Sequence, residues 1–196
     1  GFAHGTSMTY SAVSANPDVK VVFVRVVGAT STGARQFTDE YTFNHALMWI
    51  YFNKDRLNIQ AVAMSQGHHN LLSGTNYCPT NNASSRLIDY VSSSIVPVFL
   101  PAGNDRDTSR LSWPACIPST FAISASASGD GVANYTNYDP VLTDYFAMGS
   151  LPVILPGGQK VQVAGTSSFE GKQCSNQGQR DARGRAKCNE RCVSKR

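Results

Sequence analysis

ASSRLIDYVSSSIVPVFLPAGN, residues 83–104, is the stretch whose reading decides the fold. Residues 83–94 read as a helix with Leu87, Ile88 and Val91 turned inward. Residues 95–100 are a short apolar run bounded by turn signals and read as a buried strand. That strand runs directly into Pro101-Ala102-Gly103-Asn104. The same alternation continues outward on both sides. Upstream, residues 59–64 form a second buried strand, followed at once by Ser65-Gln66-Gly67. Before it, Thr38 can cap a helix over residues 39–55. Phe43, Ala46, Leu47, Ile50 and Tyr51 make its apolar face at i, i+3, i+4, i+7, i+8 spacing. Residues 19–27 (VKVVFVRVV) are β-branched and nearly continuous, and predict a buried parallel strand ending at Gly28. Residues 6–15 predict a short helix, broken by Asn16-Pro17-Asp18.

Downstream, residues 121–125 predict a further strand. Tyr145-Phe146-Ala147 and Val153-Ile154-Leu155 predict two short ones, and residues 160–164 lead to Gly165-Thr166-Ser167. Strands alternating with helices give a three-layer α/β domain, a mainly parallel sheet with flanking helices. In such sheets functional groups gather beyond the C-terminal ends of the strands. Ser65-Gln66-Gly67 and Ala102-Gly103-Asn104 each follow a strand directly, so both are expected on one rim.

Composition fits one domain of ordinary size. Of 196 residues, 41% are hydrophobic, enough for a real core, and 15% are charged. The net charge of +4 is unevenly placed. Residues 170–196 hold eight of the 17 basic residues and three of the 13 acidic ones. The rest of the chain is therefore near neutral and shows no electrostatic footprint for nucleic acid. No apolar run reaches the length of a membrane span. The chain opens on Gly1 rather than Met, which suits an internal segment or a processed product.

Three islands carry chemistry. His4-Gly5-Thr6 offers a base at the start of a helix. Asn104 offers a side-chain amide from the strand rim, with Gly103 beside it leaving room for substrate. Ser167 offers a nucleophile at a glycine-led turn. Acyl transfer by serine needs those parts: a base for the hydroxyl proton and donors for the developing oxyanion. Each island alone is a common turn or loop start, and their combination is the signal.

Taken together, the islands and the strands between them resemble the subtilisin-like serine peptidases, the subtilases. His4-Gly5-Thr6 resembles their histidine motif. Ala63-Met64-Ser65-Gln66-Gly67 resembles their substrate-binding strand. Ala102-Gly103-Asn104-Asp105 resembles their oxyanion-asparagine segment, and the stretch from Pro114-Ala115 to Ala125 the one that follows it. Asn134-Tyr135-Thr136-Asn137-Tyr138 resembles a "SFSNYG" element, and Ala164-Gly165-Thr166-Ser167 the nucleophile motif. The resemblance covers residues 1–168.

It implies a serine endopeptidase with His4 as base, Asn104 in the oxyanion hole and Ser167 as nucleophile. Ser65, Gln66 and Gly67 would pair with the substrate backbone, and Ala102 and Gly103 would wall the cleft. A peptide or protein is the implied substrate. A secreted branch of the family pairs a cysteine before the third helix with one in Pro-Ala-Cys. That implies a Cys78–Cys116 disulfide and a secreted or periplasmic location; two buried free thiols are the alternative. The family commonly holds structural calcium, but no cofactor and no metal ligand can be identified in this sequence.

Two departures stand against a complete domain. The family's orienting aspartate lies on a strand well before the histidine, and here only three residues precede His4. Asp18 and Asp39 read as a turn residue and a helix-start residue instead. The family also continues past the serine as an apolar helix, whereas Ser168-Phe169-Glu170-Gly171-Lys172 opens a basic, core-poor tail over residues 169–196 that reads as disordered. The expected domain is thus partial, truncated at both ends. The rival readings are an inactive subtilase fragment and a nucleic-acid-binding module acting through the tail. Cys174, Cys188 and Cys192 lack a fourth ligand at zinc spacing. His45, His68 and His69 read as surface or helix residues.

Overall fold

The computed structural model describes residues 4–29, 31–32, 35–36, 40–67, 78–128, 131–155, 157–167, 179–180 and 186–187. At its centre is a four-stranded parallel sheet in the order β3 (Val62–Ala63), β4 (Val98–Pro101), β5 (Phe121–Ser126), β6 (Thr143–Met148). An antiparallel ribbon of β7 (Ser150–Ile154) and β8 (Lys160–Ala164) follows it. Helices α1 (His4–Ala15), α2 (Glu40–Leu57) and α3 (Ala83–Tyr90) flank these elements. A π turn, Val91–Ile95, ends α3. Asn82 caps α3, its side chain accepting the Ser85 amide at 2.7 Å.

The three-layer expectation holds because side chains alternate across a strand. Val98 and Leu100 of β4 and Ala122 of β5 pack on one face, with Ile50 of α2 and Val91 after α3. Phe99 and the β5 residues Phe121 and Ile123 turn to the other face. There they meet Leu151 and Val153 of β7, with Tyr10 of α1 against the same cluster. Phe99 and Phe121 stack with ring centroids 4.9 Å apart. One layer is thus α2 with α3, and the opposite layer is α1 with the β7–β8 ribbon.

Residues 19–27 correct the sequence reading. They form no strand, and Val19, Val21, Val22 and Phe23 are 36–61% exposed. A β-branched run favours extended backbone, but a strand exists only where a neighbour completes its ladder. Among the described residues β4 is the one strand paired with β3, and the run pairs with nothing. The chain regains pairing only at β1 (Gly28–Ala29), antiparallel to β2 (Arg35–Gln36). β3 is shorter than predicted. Tyr51 is exposed on α2, its ring 6.1 Å from that of Tyr90.

The readings of Thr38, Asp39, His68, His69 and the residues just after Ser167 lie outside the described residues. So does the basic tail, apart from β9 (Gln179–Arg180) paired antiparallel with β10 (Ala186–Lys187).

Cys78 and Cys116 are disulfide-bonded, with Cα atoms 5.8 Å apart. The bond ties the segment before α3 to the loop between β4 and β5, where Cys116 is buried in the core. It closes a loop with a sequence separation of 38. On chain-entropy grounds a loop of that length corresponds to about 4 kcal/mol of stabilisation. Replacing both cysteines with alanine is expected to lower the urea unfolding midpoint accordingly. An unchanged midpoint would mean that the bond contributes nothing to stability.

Candidate active site

The parallel strands deliver their C-terminal ends to one rim. After β3, Met64 continues the ladder by donating its amide to Phe99 O at 3.1 Å, and Ser65-Gln66-Gly67 follow. After β4, Ala102 donates to Ile123 O at 2.9 Å and is fully buried, which sets Gly103 and Asn104 just beyond the sheet. After β8, Gly165-Thr166-Ser167 turns back against both segments. The Ser65 hydroxyl donates to Ser167 O at 3.3 Å, and the Gly103 amide donates to Thr166 Oγ1 at 3.3 Å.

Asn104 is the most closely defined side chain on this rim. Its Oδ1 accepts from the Thr166 amide at 3.0 Å and from the Thr166 hydroxyl at 3.2 Å. An amide with its oxygen engaged twice has only one sensible orientation. Its Nδ2 is therefore fixed as a donor, and it makes no hydrogen bond among the described residues. Gly165 has φ +148°, in the region that favours glycine. A Cβ placed on Gly165 would lie 3.6 Å from Asn104 Nδ2 and 4.0 Å from Ser167 N. A side-chain donor and a backbone amide thus flank the space that the glycine leaves empty.

The turn bearing Ser167 is held from behind. Gly165 donates its amide to Gly149 O at 3.0 Å, and the Tyr135 hydroxyl donates to the same carbonyl. Burial, partly offset by the Gly165 amide, pushes the Tyr135 hydroxyl above its ordinary pKa, so it remains a donor at neutral pH. The loop after Asn104 has its own brace at Asp107. Burial alone would raise that carboxyl. The Ser109 amide and hydroxyl and the Arg110 guanidinium outweigh burial and hold it below its usual value.

The remaining predicted residues take these places. Gln66 is half-buried, its amide donating to Met64 O at 2.8 Å. Gly67 is exposed, beside the Trp113 carbonyl. His4 heads α1, where Gly5 lies against the ring of Phe23: a Cβ there would stand 2.5 Å from Phe23 Cζ. His4 is linked to the serine turn through secondary structure, since α1 packs on β7, β7 pairs with β8, and β8 runs into Gly165. Hydrogen bonds join Ser65, Gly103, Asn104, Thr166 and Ser167 directly. Among the described residues no three His, Cys, Asp or Glu side chains cluster as metal ligands, and no helix is long and apolar enough to cross a membrane.

Two residues of this rim carried no assigned role in the sequence reading. Thr166 stood inside the nucleophile motif, but its double engagement of Asn104 became visible only with the fold. Asn137 grips the loop around Asn104 from more than thirty residues away, and no local spacing signals that.

No family model matches the chain. Among curated proteins it is similar to "Subtilisin-like protease 6" of Trichophyton rubrum, at 29% identity over 96 residues. That match covers 49% of this chain and 23% of the relative. The corresponding protein of Trichophyton equinum is 28% identical over the same length. The aligned part therefore spans under a quarter of the relatives' own length. Among solved structures, a lanthipeptide protease aligns with TM-score 0.66 and 16% identity, covering 87% of this chain and 58% of that one. A cold-adapted subtilisin-like serine proteinase aligns with TM-score 0.59 and 20% identity, covering 81% and 52%.

Proposed function

We propose that this chain, which carries part of a subtilase-like domain, is the catalytic portion of a secreted serine endopeptidase. Ser167 attacks the scissile carbonyl and becomes acylated. His4 takes the serine proton and returns it to the leaving amine. Asn104 Nδ2 and the Ser167 amide donate to the oxyanion, and water then hydrolyses the ester. Ser65, Gln66 and Gly67 receive an extended peptide as an added strand, with Ala102 and Gly103 as the adjoining wall. The Cys78–Cys116 bond suits an oxidising compartment.

The observation that carries this reading is the orientation of Asn104. Its oxygen is committed to Thr166, and its amide is left as a donor beside Ser167. An oxyanion donor is effective because it is aimed before charge develops. The test is covalent labelling with a fluorophosphonate, which reacts with activated serines. Labelling is expected at Ser167, absent in Ser167→Ala and lost on heat unfolding. A folded chain that takes no label would instead be an inactive subtilase-like fragment.

A further inference from the structure

We propose that Asn137 is the positioning residue that aims Asn104, a role that rests on the endopeptidase reading above. Thr166 holds the Asn104 amide itself, but Asn104 is exposed, and the backbone of the loop that carries it needs its own support. That support lies beneath the loop. Asn137 is fully buried there, and every polar atom of its side chain and backbone is used.

Its amide donates to Gly103 O at 2.9 Å, on the N-terminal side of Asn104. Its Oδ1 accepts from the amides of Asp105 at 2.8 Å and Asp107 at 3.1 Å, on the C-terminal side. Its Nδ2 donates to Asp105 Oδ2 at 3.1 Å and to Ser112 Oγ at 3.2 Å. Its carbonyl accepts from the Ser124 hydroxyl at 2.7 Å, and Ser124 lies on β5 at the centre of the sheet. The residues on either side of Asn104 are thus gripped by one side chain that is itself anchored to the sheet. Buried networks with every member satisfied hold a single arrangement.

Asn137 is fully buried and its hydrogen bonds go to the loop around Asn104 and to the sheet, so its route to the chemistry runs through that loop. That distinguishes it from a residue that merely stabilises the fold. The test is a double-mutant cycle on the rate of Ser167 labelling by the fluorophosphonate. Asn137→Ala is expected to slow labelling about tenfold in the otherwise unchanged chain. In an Asn104→Ala background the same substitution is expected to change the rate by less than about twofold, since the aimed group is gone.

Should Asn137→Ala fail to fold, Asn137→Asp carries the same cycle. It keeps the shape and the acceptor for the two amides, and replaces the donor to Asp105 and Ser112 with a carboxylate oxygen that faces the Asp105 carboxylate. Equal slowing in both backgrounds, or no slowing in either, would overturn the positioning role while leaving the endopeptidase reading intact. Absence of label on the unsubstituted folded chain would overturn both.

Discussion

Asn104→Ala should slow fluorophosphonate labelling of Ser167 by about 10²–10³-fold, the usual cost of losing one oxyanion donor. Two effects are combined in that substitution. The transition state loses a donor, and the buried Thr166 amide and hydroxyl lose their acceptor. The second effect also costs stability, of the order of 1–3 kcal/mol for an unsatisfied buried donor. Asn104→Asp separates them. Aspartate keeps an oxygen for Thr166 but replaces the donor with a negative oxygen facing the developing charge. The aspartate variant should therefore fold at least as well as the alanine variant and label no faster. If Asn104→Asp labelled at the parental rate in a stopped time course, Nδ2 would have no part in the chemistry.

Gly103→Ala should be among the most destabilising single substitutions in the chain. Gly103 has φ +111°, which an alanine adopts only with strain. The added Cβ would also collide with Ser112 Oγ and Asn137 Nδ2. Both belong to the buried network beneath Asn104, so neither can move without breaking its hydrogen bonds. Backbone strain and overpacking together amount to about 2–6 kcal/mol. Gly158→Ala supplies the comparison, because its φ is +83° but nothing lies within 4 Å of the added atom. Urea unfolding of the two variants should show Gly103→Ala as clearly the less stable. Equal midpoints would mean that the network yields freely.

The parts of the fold legible in the sequence are those that one periodicity decides. Leu47 and Ile50 on α2, and the alternation of Val98, Phe99 and Leu100 on β4, follow from helix and strand spacing, and each is buried where that spacing put it. The rim was legible too, because Ser65 and Asn104 each follow a strand of a parallel sheet. Residues 19–27 were misread because continuous β-branched residues specify an extended backbone but not a neighbour. The end of α3 was blurred because the π turn carries helix-like residues directly into Val96. The grip of Asn137 on Asp105 and Asp107 was not legible at all, since its partners are assembled by the sheet and not by sequence spacing.

Residues 19–27 also have a bearing on how the protein behaves in solution. Extended and rich in exposed apolar side chains, they lie in a chain whose strand β3 has one neighbour among the described residues. An open edge and an unpaired β-branched run are complementary templates for intermolecular strand addition. The charged residues of the run are Lys20 and Arg25, both basic, and charges placed within such a run oppose strand addition. Two cations within nine residues near the start of the chain thus oppose self-association at the one run best suited to it.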